Sequence, residues 1–144
     1  MIRAALMGLV LAGLVGCTSK PVLTPKEVLV AGPSYSDQEI QYAILQAAAL
    51  RGWSARQVAP GLIQADITVR NTFYAAVDIR YSASDFRIDY RDSRGLDHKD
   101  GKIHRNYNRW VHALDKNILR ELKRMETNRM VQRAMNEQNP SNTK

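Results

Sequence analysis

The stretch that decides the fold runs from Ile63 to Arg91, IQADITVRNTFYAAVDIRYSASDFRIDYR. Its apolar residues return at every second position. Ile63, Ala65, Ile67 and Val69 alternate with Gln64, Asp66, Thr68 and Arg70. Ala75, Val77, Ile79 and Tyr81 alternate with Ala76, Asp78, Arg80 and Ser82, and Phe86, Ile88 and Tyr90 with Arg87, Asp89 and Arg91. Successive side chains of a strand point to opposite faces, so this spacing predicts three strands with one apolar and one wet face. That is the pattern of an antiparallel sheet covered on one side. Asn71-Thr72 and Ser82-Ala83-Ser84 are short enough to be hairpin connections. A weaker strand from Trp53 to Ala59, turning at Pro60-Gly61, makes four. On the wet face Asp66, Asp78 and Asp89 alternate with Arg70, Arg80, Arg87 and Arg91, which predicts exposed cross-strand pairs worth tenths of a kcal/mol each.

On either side of the sheet the period changes to 3.6. Upstream, Ser36-Asp37-Gln38-Glu39 reads as a capping box, with Tyr35 and Ile40 placed as a hydrophobic staple. Ile40, Ala43, Ile44, Ala47 and Leu50 then recur at helical spacing up to Gly52. Downstream, Ile103, Tyr107, Trp110, Val111, Leu114, Ile118, Leu122 and Met125 form one apolar stripe. A long helix is expected from about Ile103 to Met125, capped by Asp100 or Asn106, with a frayed end towards Arg133. Between sheet and helix, Ser93 to Lys102 is a polar loop. Asp97, Asp100 and Gly101 lack the spacing and closing Glu of a calcium loop, so a turn is expected. The predicted fold is α+β, a two-layer sandwich over residues 36–126 in the order αββββα, with both helices on one face of a four-stranded sheet.

The two ends of the chain differ from this domain. Arg3 opens a short positive start, and Ala4 to Gly16 is a run of apolar and small residues ending Leu14-Val15-Gly16-Cys17. Thirteen residues at ~1.5 Å each cover about 20 Å, short of the ~30 Å hydrocarbon core, which suits a signal peptide over residues 1–16 better than a membrane span. The run resembles the lipobox of bacterial lipoproteins, in which the cysteine sulfur carries a diacylglycerol, here Cys17. With Thr18 rather than Asp after it, the resemblance implies the periplasmic leaflet of the outer membrane. Residues 17–35 read as a lipidated tether, since Pro21, Pro25 and Pro33 break regular elements. At ~3.1 Å per residue, this tether would hold the domain up to about 55 Å from the bilayer. At the other end, residues 127–144 read as a frayed helix end and a disordered polar tail.

Cys17 is the only cysteine, so once lipidated it leaves no thiol for a disulfide, a nucleophile or a Cys-based metal site. Of the +7 formal charge, most belongs to residues 103–133, where eight Lys/Arg face three Asp/Glu. At ~100° per residue, Arg105, Arg109, Lys116, Arg120, Lys123 and Arg124 share about a third of the helix circumference, away from the apolar stripe. Asp115 and Glu126 are expected on the opposite flank. In an exported protein such a ridge points to anionic lipid, lipopolysaccharide, peptidoglycan or an acidic envelope protein rather than nucleic acid. His104, Asn108, His112 and Asp115 line another flank. The two histidines lie about 12 Å apart, too far to share a metal, since ligands on one helix come three or four residues apart. No nucleophile triad, phosphate loop or paired carboxylate motif is present, so the reading is non-enzymatic, without cofactor or metal.

Ile103-His104-x-x-Tyr107-Asn108-x-Trp110, preceded by Tyr90-x-Asp92-Ser93 and followed by Leu114 and Ile118, resembles a family of small proteobacterial lipoproteins. Gly52-Trp53 and Pro60-Gly61-x-Ile63-x-Ala65 are similar as well, so the likeness spans most of residues 40–122. It implies export and this fold, and brings no active site with it. Two functions are expected: a lipid-anchored binding or assembly accessory of the envelope, or a lipoprotein that holds the cell-wall polymer.

Overall fold

The computed structural model describes residues 18–29 and 35–138. The expected leader, Cys17, Pro33 and the tail from 139 onward lie outside them. In chain order the elements are β1 (Ser19–Pro21), β2 (Lys26–Val28), α1 (Asp37–Leu50), β3 (Ser54–Ala59), β4 (Leu62–Val69), β5 (Phe73–Tyr81), β6 (Asp85–Arg94), β7 (Lys102–His104) and α2 (Arg105–Gln138). The fold is α+β. Its main sheet has five antiparallel strands in the order β2-β6-β5-β4-β3, and β1 pairs with β7 in a separate ribbon. The expected order αββββα is therefore corrected by three short strands, β1, β2 and β7.

The alternation in the central stretch sets the register. Ile63 lies opposite Ile79, Ala65 opposite Val77 and Ile67 opposite Ala75. Across β5 and β6, Tyr81 faces Phe86, Ile79 faces Ile88 and Val77 faces Tyr90. A bulge then skips Arg91, so that Asp92 meets Ala76 and Ser93 meets Ala75. The extra residue shifts the side-chain phase. Tyr90 Oη and Ser93 Oγ accordingly lie 3.0 Å apart. On the wet face the register places Asp78 opposite Asp89 and Arg80 opposite Arg87, like against like. The attractive contacts run diagonally, Arg80–Asp89 at 3.7 Å and Arg91–Asp78 at 3.3 Å, and along β6, Arg87–Asp89 at 2.9 Å. This checkerboard offsets the repulsion of directly opposed like charges.

Both helices and the inward face of the sheet contribute to one apolar cluster. From α1 come Ile40, Ala43, Ile44, Ala47 and Ala48, and from α2 Tyr107, Val111, Leu114, Ile118 and Leu122. The capping box at α1 is formed: Ser36 Oγ accepts from Glu39 N at 3.2 Å, and Glu39 Oε2 accepts from Ser36 N at 2.8 Å. Glycine is required at Gly95, where φ is +72° and an added Cβ would lie 2.8 Å from the Thr72 carbonyl oxygen. That approach seats the loop after β6 against the β4–β5 turn.

Two boundaries depart from the sequence reading. The described part of the expected tether is folded onto the domain. Proline cannot donate to a ladder, but it is tolerated at sheet edges and its carbonyl still accepts. Pro21 sits in β1, and the Pro25 carbonyl accepts from Ile88 N at 3.0 Å. Val22, Leu23 and Leu29 pack against the core, so the apolar residues between the prolines were the overlooked signal. At the other end, α2 does not fray after Met125 but continues to Gln138. No Gly or Pro interrupts residues 105–138, and Arg129 reaches Glu39 at 3.5 Å across to α1.

Candidate functional site

The run from Ile103 to Trp110 fastens the N-terminal segment to the domain. Asp100 and Gly101, with φ of 50° and 70°, turn the chain so that Lys99 and Lys102 exchange two backbone hydrogen bonds of 2.9 Å. Positive φ at both central residues is the hairpin geometry that Asp-Gly favours. Neither Asp100 nor Asn106 is thus the cap of α2. His104 takes that role: its Nδ1 accepts from Asn106 N at 3.2 Å. Ile103 and Tyr107 are fully buried. Asn108 Oδ1 accepts from Leu23 N at 2.9 Å while its Nδ2 donates to the Pro21 carbonyl at 2.8 Å. The amide therefore clamps residues 21–23 from both sides. Three backbone contacts complete the closure: Arg105 N to Thr18 O at 2.9 Å, Val22 N to Gly101 O at 3.0 Å and His104 N to Leu96 O at 2.8 Å.

The flank of His104, Asn108, His112 and Asp115 does not converge on a shared site. His104 caps, Asn108 clamps and His112 is exposed. Asp115 is 2% exposed, with Oδ2 3.4 Å from Lys116 Nζ and Oδ1 lacking a hydrogen-bond partner among the described residues. Among those residues no three His, Cys, Asp or Glu side chains form a metal-holding group. Tyr107 Oη is also buried without a partner there. Burial, followed by Tyr90 and Asp89, pushes its phenol far above the ordinary range, so it stays protonated.

All six ridge residues are on the exposed side of α2, yet they divide into two groups. Lys116, Lys123 and Arg124 are each beside a carboxylate of their own helix: Asp115 at 3.4 Å, Glu126 at 3.3 Å and Glu121 at 2.6 Å. Glu121 raises the Arg124 pKa, through its hydrogen bonds first and its charge second. Asp115 and Glu126 were expected on the opposite flank; long cationic side chains reach them from a residue or a turn away. Arg105, Arg109 and Arg120 have no carboxylate within 4.0 Å among the described residues. Arg120 donates to the neutral Asn117 Oδ1 at 3.4 Å.

Arg109 also lines an open groove of about 200 Å³ between α2 and the β4–β5 turn, with Asn106, Trp110, Val69, Arg70 and Phe73. Arg70 holds φ at 53° in that turn, an uncommon conformation for a residue with a side chain. The groove thus gathers two guanidinium groups beside two aromatic rings. Sequence reading placed Arg70 in a row of sheet ion pairs and missed this role. It missed as well that Lys20 and Lys102 share the β1–β7 ribbon beside Arg105, which only the Asp-Gly hairpin signal could have foretold.

Among the described residues no helix is long and apolar enough to cross a membrane. Comparison with protein-family models, curated proteins and solved structures gave no match for this chain.

Proposed function

We propose that this chain is a non-enzymatic, lipid-anchored envelope protein, held by Cys17 at the periplasmic face of the outer membrane. It acts there as a binding or assembly accessory whose basic helix face receives an anionic partner. In this reading both helices cover one face of the sheet, which leaves the ridge of α2 free to meet an anionic surface. One observation carries the proposal: Arg105, Arg109 and Arg120 are exposed cations with no carboxylate within 4.0 Å among the described residues, on a helix that neutralises its other ridge cations. An anion would occupy the potential these three arginines leave uncompensated. Each contributes on the order of 1 kcal/mol near an anionic surface and loses most of it beyond a Debye length of ~8 Å.

The test is salt-dependent co-sedimentation with phosphatidylglycerol vesicles and with isolated peptidoglycan. Arg105/Arg109/Arg120→Ala is expected to lose most retention at low salt. Lys123/Arg124→Ala, which removes cations already neutralised within α2, is expected to keep it. Retention indifferent to salt and to both sets of substitutions would end the anionic-partner reading. Stronger retention on peptidoglycan than on vesicles would move the assignment to a structural cell-wall-binding lipoprotein.

A further inference from the structure

We infer that the partner of this basic end is the anionic headgroup layer of the membrane that carries the anchor. The domain lies directly on that leaflet through the β1–β7 ribbon and the first turns of α2. The inference rests on the lipid-anchor reading of Cys17 and adds to it an orientation and a ligand class, phosphate-bearing lipid headgroups.

The distance leaves little alternative once the sulfur is acylated. Thr18 follows Cys17 directly, with a Cα spacing of ~3.8 Å, and the Thr18 carbonyl already accepts from Arg105 N at 2.9 Å. Ser19 pairs with His104, Lys20 with Ile103 and Pro21 with Lys102. The Asn108 clamp then holds Pro21 and Leu23. A spacer of tens of ångströms, as the prolines suggested, does not exist between anchor and domain. Acyl chains at Cys17 would enter the bilayer within a residue or two of the α2 N-terminus.

Topology supplies the rest of the contact surface. The β4–β5 turn approaches the loop after β6, since a Cβ on Gly95 would meet the Thr72 carbonyl. That loop leads through the Asp100–Gly101 turn into β7. These segments, β1 and the start of α2 gather at one end of the domain. The β5–β6 turn lies at the other end of β6, about 30 Å away for a ten-residue strand. The anchored end carries Lys20, Arg70, Lys99, Lys102, Arg105 and Arg109, all exposed and none within 4.0 Å of a carboxylate among the described residues. Asp97 and Asp100 are the acidic residues of the 95–101 loop, so the excess is positive. Anchor position and charge thus select the same surface.

The experiment uses the lipidated chain reconstituted in phosphatidylethanolamine–phosphatidylglycerol vesicles. An acylated Cys17 has no free thiol, so one fluorophore can be placed through Lys102→Cys or, at the far turn, through Ala83→Cys. Quenching by a lipid with a spin-labelled headgroup is expected to be severalfold stronger for the Lys102→Cys probe. Substituting Lys20 and Arg105 by Gln is expected to weaken this contrast in anionic vesicles, by up to about fivefold in headgroup affinity per residue. Equal quenching at both positions, with Cys17 acylation verified by mass spectrometry, would overturn the orientation and leave the anchor standing. A contrast unchanged by the substitutions and by neutral vesicles would overturn the headgroup ligand. Mass spectrometry showing a bare Cys17 would instead remove the anchor reading, and the inference with it.

Discussion

The two halves of α2 are one continuous helix with opposite surroundings. From Arg105 to Leu122 the apolar stripe is buried in the core, and three arginines on the outer face have no carboxylate within 4.0 Å among the described residues. Past Met125 the helix leaves the core. There Arg129 is paired with Glu39, while Met130, Val131 and Met135 are 56%, 53% and 59% exposed. Helical periodicity alone does not distinguish these halves. What separates them is where the sheet ends, and hence which apolar residues have something to pack against.

The largest expected effect tests that division by stability. Leu114→Ala and Ile118→Ala each remove a fully buried side chain and are expected to cost about 2–5 kcal/mol in urea unfolding. Val131→Ala and Met135→Ala are expected to stay within about 0.5 kcal/mol, as exposed substitutions do. Comparable losses at the two pairs would mean that the projecting half is packed in solution and that the comparison fails.

A smaller effect concerns the clamp. Asn108→Ala removes two hydrogen bonds to the backbone of Pro21 and Leu23 and leaves the Leu23 N–H unsatisfied, an expected loss of about 1–2 kcal/mol. Limited proteolysis should show residues 18–23 cut faster while the rest of the chain resists. Unchanged proteolysis would show that β1–β7 pairing alone holds the segment down.

These residues also show what the sequence discloses. The central strands were legible because a period of two over three consecutive runs leaves no second assignment, and Ser36 to Glu39 announced α1 by its capping chemistry. The ends were less legible for physical reasons. Strands β1, β2 and β7 have three residues each, too few to show a period, and two of them stand among prolines. Their existence depends on partners supplied from far along the chain, such as Ile88 N, which donates to the Pro25 carbonyl. The ridge was legible as a face but not in its pairing, since reach to Glu121, Glu126 or Asp115 is set by side-chain direction rather than by angle on a wheel. The groove at Arg70 and Arg109 joins residues from a turn and a helix, and nothing in either segment by itself signals the other.

The finest distinction between the halves lies at Glu39, a carboxylate that serves both α1 and the projecting part of α2. Hydrogen bonding from Ser36 N is the main reason its pKa falls below the ordinary glutamate value; burial opposes it, and the Ser36 hydroxyl and then the Arg129 charge lower it further. A carboxylate with a depressed folded pKa contributes stability that is fully present above its unfolded value and disappears as pH falls through the folded one. The capping box should therefore weaken between mildly acidic pH and the range below it, by about 1 kcal/mol. Glu39→Gln keeps an oxygen able to accept from Ser36 N but cannot titrate or pair with Arg129. Urea unfolding of the two proteins across that pH range isolates this group, because every other carboxylate is common to both. The wild type should be the more stable at neutral pH and the difference should close in acid. A difference independent of pH would show that Glu39 acts through hydrogen-bond geometry alone, and that Arg129 ties the projecting turns to α1 without help from its charge.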